Sequence, residues 1–153
     1  MTDPTIQAAR DLLDDSLDEM RTAVDGCTAE ELNRRPIDGD TNALAVLATH
    51  ATLSTRSWLS LATNAPLPER DRPAEFLAVV DDADAFMERF DAIAVECRAL
   101  LEGDVAFDPG ATGTAPWLID GAGEPVTRAW ALLHALEHLR EHVGHAQLTR
   151  QML

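Results

Sequence analysis

Apolar residues return every three or four positions in four long stretches of this chain, and that period restricts the fold more than any other feature of the sequence. Ile6, Ala9, Leu13, Leu17, Met20 and Val24 mark the first stretch, with Asp11, Asp14, Asp15, Asp18 and Glu19 mostly on the opposite face. Such a stripe is one side of an amphipathic α-helix. Asp3-Pro4 supplies its start and Gly26 its end. Thr28-Ala-Glu-Glu31 is a capping box for one short turn, closed by Arg34-Arg35-Pro36, and a turn through Asp38-Gly39-Asp40 follows. The second long helix is expected from about Thr41 to Thr63, with Ala43, Val46, Leu47, His50, Ser54, Trp58 and Leu61 on its apolar face. After the Pro66 and Pro68 break, a charged segment from Glu69 to Pro73 leads into a third stripe. It carries Phe76, Val80, Ala83, Met87, Phe90, Ile93, Cys97 and Leu100. The fourth helix is expected from about Thr127 to Gln151.

Between the third and fourth helices, residues Gly103 to Pro125 are rich in Gly, Pro, Ala and Thr and show neither helical nor strand period. A connection of that length in a compact bundle is a crossover or a functional loop. Its Phe107, Trp117 and Leu118 can cover a pocket mouth, and Asp120 can add a polar group. There is no internal repeat and no strand-like alternation. The expected fold is therefore all-α: a four-helix bundle with a long crossover loop between helices 3 and 4, in a single domain over residues 1–153.

Charge narrows the function. With 12 Arg, no Lys and 27 acidic residues the chain carries a net charge of -15, which argues against nucleic acid and anionic membrane surfaces as partners, since both require clustered cations. No apolar run approaches a membrane span, and the opening Met-Thr-Asp-Pro-Thr lacks the basic start of a signal peptide. A cytoplasmic protein is expected. Cys27 and Cys97 have no CxxC spacing, and reduced, structural roles suit both.

Four of the five histidines fall within the last helix, at positions 134, 138, 142 and 145. At about 100° per residue, His138 and His142 lie nearer the core direction set by Leu136, Leu139 and Val143. His134 and His145 lie further round. An i,i+4 histidine pair can grip one ion, and His50, in the middle of the second helix's apolar face, is the candidate third ligand. A lone histidine on an apolar face is more often a hydrogen-bonded core residue. Three of them near one small core, however, must find partners for six ring nitrogens, and a metal satisfies three at once. Three neutral imidazoles leave at least one coordination position open, as catalytic sites do. Zn²⁺ or Ni²⁺ is the expected ion, with Fe²⁺ and Mn²⁺ compatible with the same ligands.

The order of these pieces resembles the DinB/YfiT-like superfamily, which includes the N-terminal domain of mycothiol-dependent maleylpyruvate isomerase. The resemblance rests on Gly26-Cys-Thr-Ala-Glu-Glu-Leu32 with Arg35-Pro36, on Ala48-Thr-His50 followed by Trp58, and on Glu137-His138-Leu-Arg-Glu-His142-Val-Gly-His145-Ala-Gln-Leu148. It implies a bundle with the second and fourth helices adjacent, a divalent metal on His50, His138 and His142, a homodimer, and S-transferase or isomerase chemistry on a low-molecular-weight thiol such as mycothiol. His145 stands where the family usually has Gln or another polar residue, and a single-domain protein without the isomerase's C-terminal domain is expected. Within this reading His134 and His145 are candidates for orienting ligands or moving protons. Arg56, Trp58 and Arg150 are candidates for contacting the thiol cofactor. A hydrolase using metal-activated water, or a non-catalytic metal-binding bundle, remains open on the residues alone.

Overall fold

The structure is a computed structural model that describes residues 3–37, 39, 41–118 and 123–153. Asp38 and Asp40 of the expected turn, and Asp120, lie outside the described residues. Among the described residues, six helices and one hairpin follow in order: α1 (Pro4–Val24), α2 (Ala29–Asn33), α3 (Leu44–Thr63), α4 (Arg72–Glu75), α5 (Ala83–Ala99), β1 (Thr112–Ala115), β2 (Glu124–Thr127) and α6 (Arg128–Gln151). The long helices α1, α3, α5 and α6 form the four-helix bundle. Helix α1 packs on α6, α6 on α3, and α3 on α5, which closes back onto α1.

Local chemistry sets the helix ends. The Asp3 carboxylate caps α1 through the Thr5 N–H at 2.7 Å, with Pro4 in the first turn. Thr28 and Glu31 form the reciprocal capping box of α2. Helix α3 ends on Asn64 in the left-handed region, at φ 59°. Thr127 caps α6 through the Trp130 N–H.

Helix α3 is the central element. It is buried on nearly every side, including Ala45, Ala48 and Ala51 at 0% exposure, which is the expected state of a helix without a broad polar face. Helix α6 brings small residues of its own, Ala131, Ala135 and Ala146, each also fully buried. This permits the close approach that makes α3 and α6 the most extensively packed pair. Leu139 and Val143 lie in the core as the helical wheel requires, whereas Leu136 is only half-buried and turns toward α1.

Three expectations change. The second long helix begins at Leu44 rather than Thr41. The third begins at Ala83, so Phe76 and Val80 precede it. Asp82 caps Ala85 there, and the Asn33 side chain takes both backbone groups of Val80 at 2.7 and 2.8 Å, giving it a non-helical partner. Finally, the connection after α5 contains the antiparallel β1–β2 pair, with Thr112 opposite Thr127 and Ala115 opposite Glu124. Each strand has only four residues, too few to display an alternating pattern.

Candidate metal centre

One turn of α3 and two turns of α6 bring His50, His138 and His142 together. His50 Nε2 lies 3.3 Å from His138 Nε2, and His142 Nε2 lies 3.3 Å from the same atom. One ligating atom from each residue falls within 4.8 Å of the others. The spacing follows from the sequence: positions 138 and 142 are one helical turn apart on α6, and position 50 is the point on buried α3 that faces them.

A carboxylate fixes the direction of the His50 ring. His50 Nδ1 lies 2.7 Å from Glu75 Oε2, on short helix α4. Glu75 also accepts two hydrogen bonds from Arg70, Nε to Oε1 at 2.7 Å and Nη2 to Oε2 at 2.9 Å. The Glu75 and Arg70 side chains are only 2% and 7% exposed. Burial pushes the Glu75 carboxyl upward, but the hydrogen bonds from His50 and Arg70, together with the Arg70 charge, outweigh it and hold the group below its usual range. An ionised carboxylate only accepts, so a neutral His50 must carry its proton on Nδ1. Its Nε2 lone pair then faces the other two rings. A carboxylate–histidine pair of this kind orients metal-ligating imidazoles generally.

His138 and His142 are held neutral. Burial, followed by the neighbouring His142, His50 and His134 rings, pushes His138 down to about 3. Burial and the His50 and His145 rings push His142 down to about 4. With the Nε2 atoms of His50 and His142 each 3.3 Å from that of His138, the three rings, when neutral, cannot all satisfy one another, since at most one Nε2–H can point at a neighbour's lone pair. The Nδ1 atoms of His138 and His142 are buried and have no hydrogen-bond partner among the described residues. Three convergent nitrogen donors, two of them with depressed proton affinity, fit a divalent cation.

The cluster opens into a cavity of about 420 Å³. Its aromatic wall is Trp58, with Trp117 edge-on at 4.9 Å and the His134 ring edge-on at 4.9 Å. Trp130 stacks on His134 at 4.6 Å and 19°. Ser54, Arg70, Arg72 and Leu118 complete the lining. Trp117 and Leu118 follow β1, so the hairpin delivers two of the three mouth residues that the sequence suggested, while Phe107 packs against the core instead.

Residues 8–153 match the family model described as mycothiol-S-transferase. The chain belongs to the mycothiol-S-transferase family. Among solved structures it is similar to one described as the conserved protein of locus from Enterococcus faecalis, at 18% identity and TM-score 0.74, covering 99% of this chain and 97% of that one. At that identity the likeness shows the fold alone. No curated protein matches the chain.

The other candidate residues of this mycothiol-S-transferase family member divide clearly. Trp58 and His134 line the cavity. His145 is exposed and lies one turn beyond His142, away from the cavity. Arg56 and Arg150 are not brought to the site. Arg56 is six positions from His50, which turns it to a different side of α3, where it pairs with Glu96 at 2.7 Å. Arg150 lies eight residues beyond His142, roughly 12 Å along the helix, and its guanidinium contacts Cys27 Sγ and the Asp25 carbonyl. Sequence reasoning missed Arg70, Arg72 and Glu75. The charged run from Glu69 to Pro73 reads as a solvated link, and only Asp71-Arg72-Pro73, a cap and proline start for α4, hinted that the segment turns inward.

Proposed function

We propose that this protein is a divalent-metal-dependent S-transferase acting on a mycothiol-type thiol, with His50, His138 and His142 as the metal ligands. The observation that carries this reading is the convergence of three Nε2 atoms, one of them aimed by a buried carboxylate, at the head of a cavity in a chain of this family. Zn²⁺ or Ni²⁺ suits the three nitrogen donors. Such an ion lowers the pKa of a thiol, making thiolate available near neutral pH.

The protein's own residues supply the rest. Glu75 holds His50, and Arg70 holds Glu75, so the ligand set is preorganised before any substrate arrives. Trp58 and Trp117 give the electrophile an apolar surface and limit water access. His134, half-buried beside the cluster, is placed to take the thiol proton as sulfur attacks carbon; the S–C bond forms as the leaving group departs. Cytoplasmic location and a homodimeric state belong to the same reading. Exposed Leu12, Leu133 and Leu148 on α1 and α6 supply apolar surface that a dimer would cover.

Two measurements test it. Protein purified without a polyhistidine tag should contain near-stoichiometric metal that His50→Ala loses; unchanged metal content in the variant would refute the ligand set. A screen of thiols against electrophiles on metal-loaded protein should show turnover that requires the thiol. Thiol-independent cleavage of esters or amides would instead identify a hydrolase.

A further inference from the structure

The cavity is a surface of hydrogen-bond donors and cations inside a strongly acidic protein. The chain carries a net charge of -15, yet among the described residues no Asp or Glu lines the cavity, while two arginines and three histidines do. Glu75 lies behind His50, and its charge is offset by Arg70. Arg70 spends Nε and Nη2 on that carboxylate, and no hydrogen bond from its Nη1 is found among the described residues. Arg72 pairs with no carboxylate among the described residues; its guanidinium rests over the Phe76 ring at 5.2 Å. Phe76 in turn lies 4.5 Å from the His50 ring, so Arg72 stands one aromatic ring removed from the ligand cluster. The Trp117 indole N–H is likewise buried and partnerless among the described residues. Beyond the two arginines and Trp117 the cleft continues into a second hollow of about 200 Å³.

Uncommitted planar donors beside an aromatic wall match a planar oxyanion attached to an apolar body. We propose that Arg72, assisted by the free Nη1 of Arg70, makes this site selective for electrophiles that carry a carboxylate. The carboxylate docks on the guanidinium groups, the apolar body lies along Trp58 and Trp117, and the reacting carbon faces the histidine cluster. This inference names the substrate class of the site and rests on the S-transferase reading for its chemistry, though not for its binding.

The test compares 4-(chloromethyl)benzoate with 4-(chloromethyl)benzamide, which share a reacting carbon and differ in charge. With mycothiol on zinc-loaded protein, an S–C bond forms, the C–Cl bond breaks, chloride leaves with the electron pair, and the thiol proton passes to His134 and from there to solvent. The KM of the benzoate should be about tenfold below that of the benzamide, the scale of one charge-assisted hydrogen bond. Arg72→Ala should bring the ratio to about one, Arg72→Lys should keep part of it, and Arg72→Glu should reverse it. Unreactive 4-methylbenzoate and 4-methylbenzamide, titrated by quenching of tryptophan fluorescence, give the same comparison without turnover. Circular dichroism and metal content establish that each variant is folded and loaded.

Equal affinity for the two neutral and anionic probes in the wild type overturns the inference. So does a benzoate preference that survives Arg72→Ala and disappears on metal removal, since the ion rather than the arginine would then hold the carboxylate. If neither chloromethyl compound turns over but the benzoate preference holds and is lost in Arg72→Ala, the anion selectivity stands and the S-transferase reading falls.

Discussion

Replacing Glu75 by alanine separates two jobs that one carboxylate performs. The change removes the acceptor at 2.7 Å from His50 Nδ1 and both acceptors of the Arg70 fork. Losing the group that aims a ligand ring weakens metal binding about 10- to 100-fold, which corresponds to roughly 1.4 to 2.7 kcal/mol. Independently, Arg70, whose side chain is 7% exposed, becomes a buried charge without its partner, at a cost of about 3 to 5 kcal/mol of stability. For a chain of this size that is a fall in Tm of about 10 °C. The stability measurement belongs on metal-free protein, because a bound ion adds its own stabilisation; affinity is read by competition with a chromogenic chelator. The double variant Glu75→Ala/Arg70→Met removes the orphaned charge and should recover at least half of the lost stability while leaving metal binding weak. Glu75→Gln, which keeps an acceptor oxygen for His50 but sets an amide against Arg70, should retain most of the affinity. If Glu75→Ala binds the ion as tightly as the wild type, or if the double variant restores affinity, the carboxylate does not act through His50.

Two further outcomes follow from other parts of the fold. A Cβ at Gly113 would lie 2.6 Å from Leu61 Cδ1 and 3.2 Å from its Cγ, so Gly113→Ala should cost about 1 to 3 kcal/mol and shift the tryptophan emission as the hairpin lifts from α3. Gly110→Ala, which meets only Asp108 at an ordinary 3.7 Å, is the control in thermal melts. Burial pushes the Cys97 thiol up to about 12, so native protein should resist alkylation there at neutral pH. The native thiol also stays protonated where the unfolded one ionises, and native protein therefore binds the extra proton above about pH 9. Stability should decline as pH rises through that window, and Cys97→Ala should flatten the decline in denaturant titrations.

The four long helices were legible because each must bury a stripe, and a stripe of period 3.6 is written directly in residues such as Leu13, Leu17 and Met20 or Leu139 and Val143. The histidine cluster was legible for a related reason. An imidazole at position 50, amid the apolar face of a central helix, needs a partner, and the i,i+4 pair at 138 and 142 is the place to look. What failed to show was the support around it. Glu75 and Arg70 are charged residues in a proline-rich link, and sequence alone cannot distinguish a buried ion pair there from a solvated run, since the difference lies in whether α4 turns toward α3. Arg56 and Arg150 went astray for the converse reason: an arginine on a helix next to a site says nothing about its angular position until its partners, here the Glu96 carboxylate and the Asp25 carbonyl with Cys27, are in place. The β1–β2 hairpin was hidden by its brevity, four residues a side with pairing that bridges most of the loop.

The three rings reach one point from places 88 residues apart in the chain, so an ion bound there would take part in assembly as well as in chemistry. Two of the ligands arrive together as soon as α6 coils, a half-site that needs nothing else. The third arrives only when α3 docks. An ion held by all three ties the two central helices as a cross-link ties a long loop, discouraging the open forms in which they drift apart. Without it α3 and α6 would be joined by side-chain packing alone along the seam where the rings meet, with the three imidazoles left facing one another.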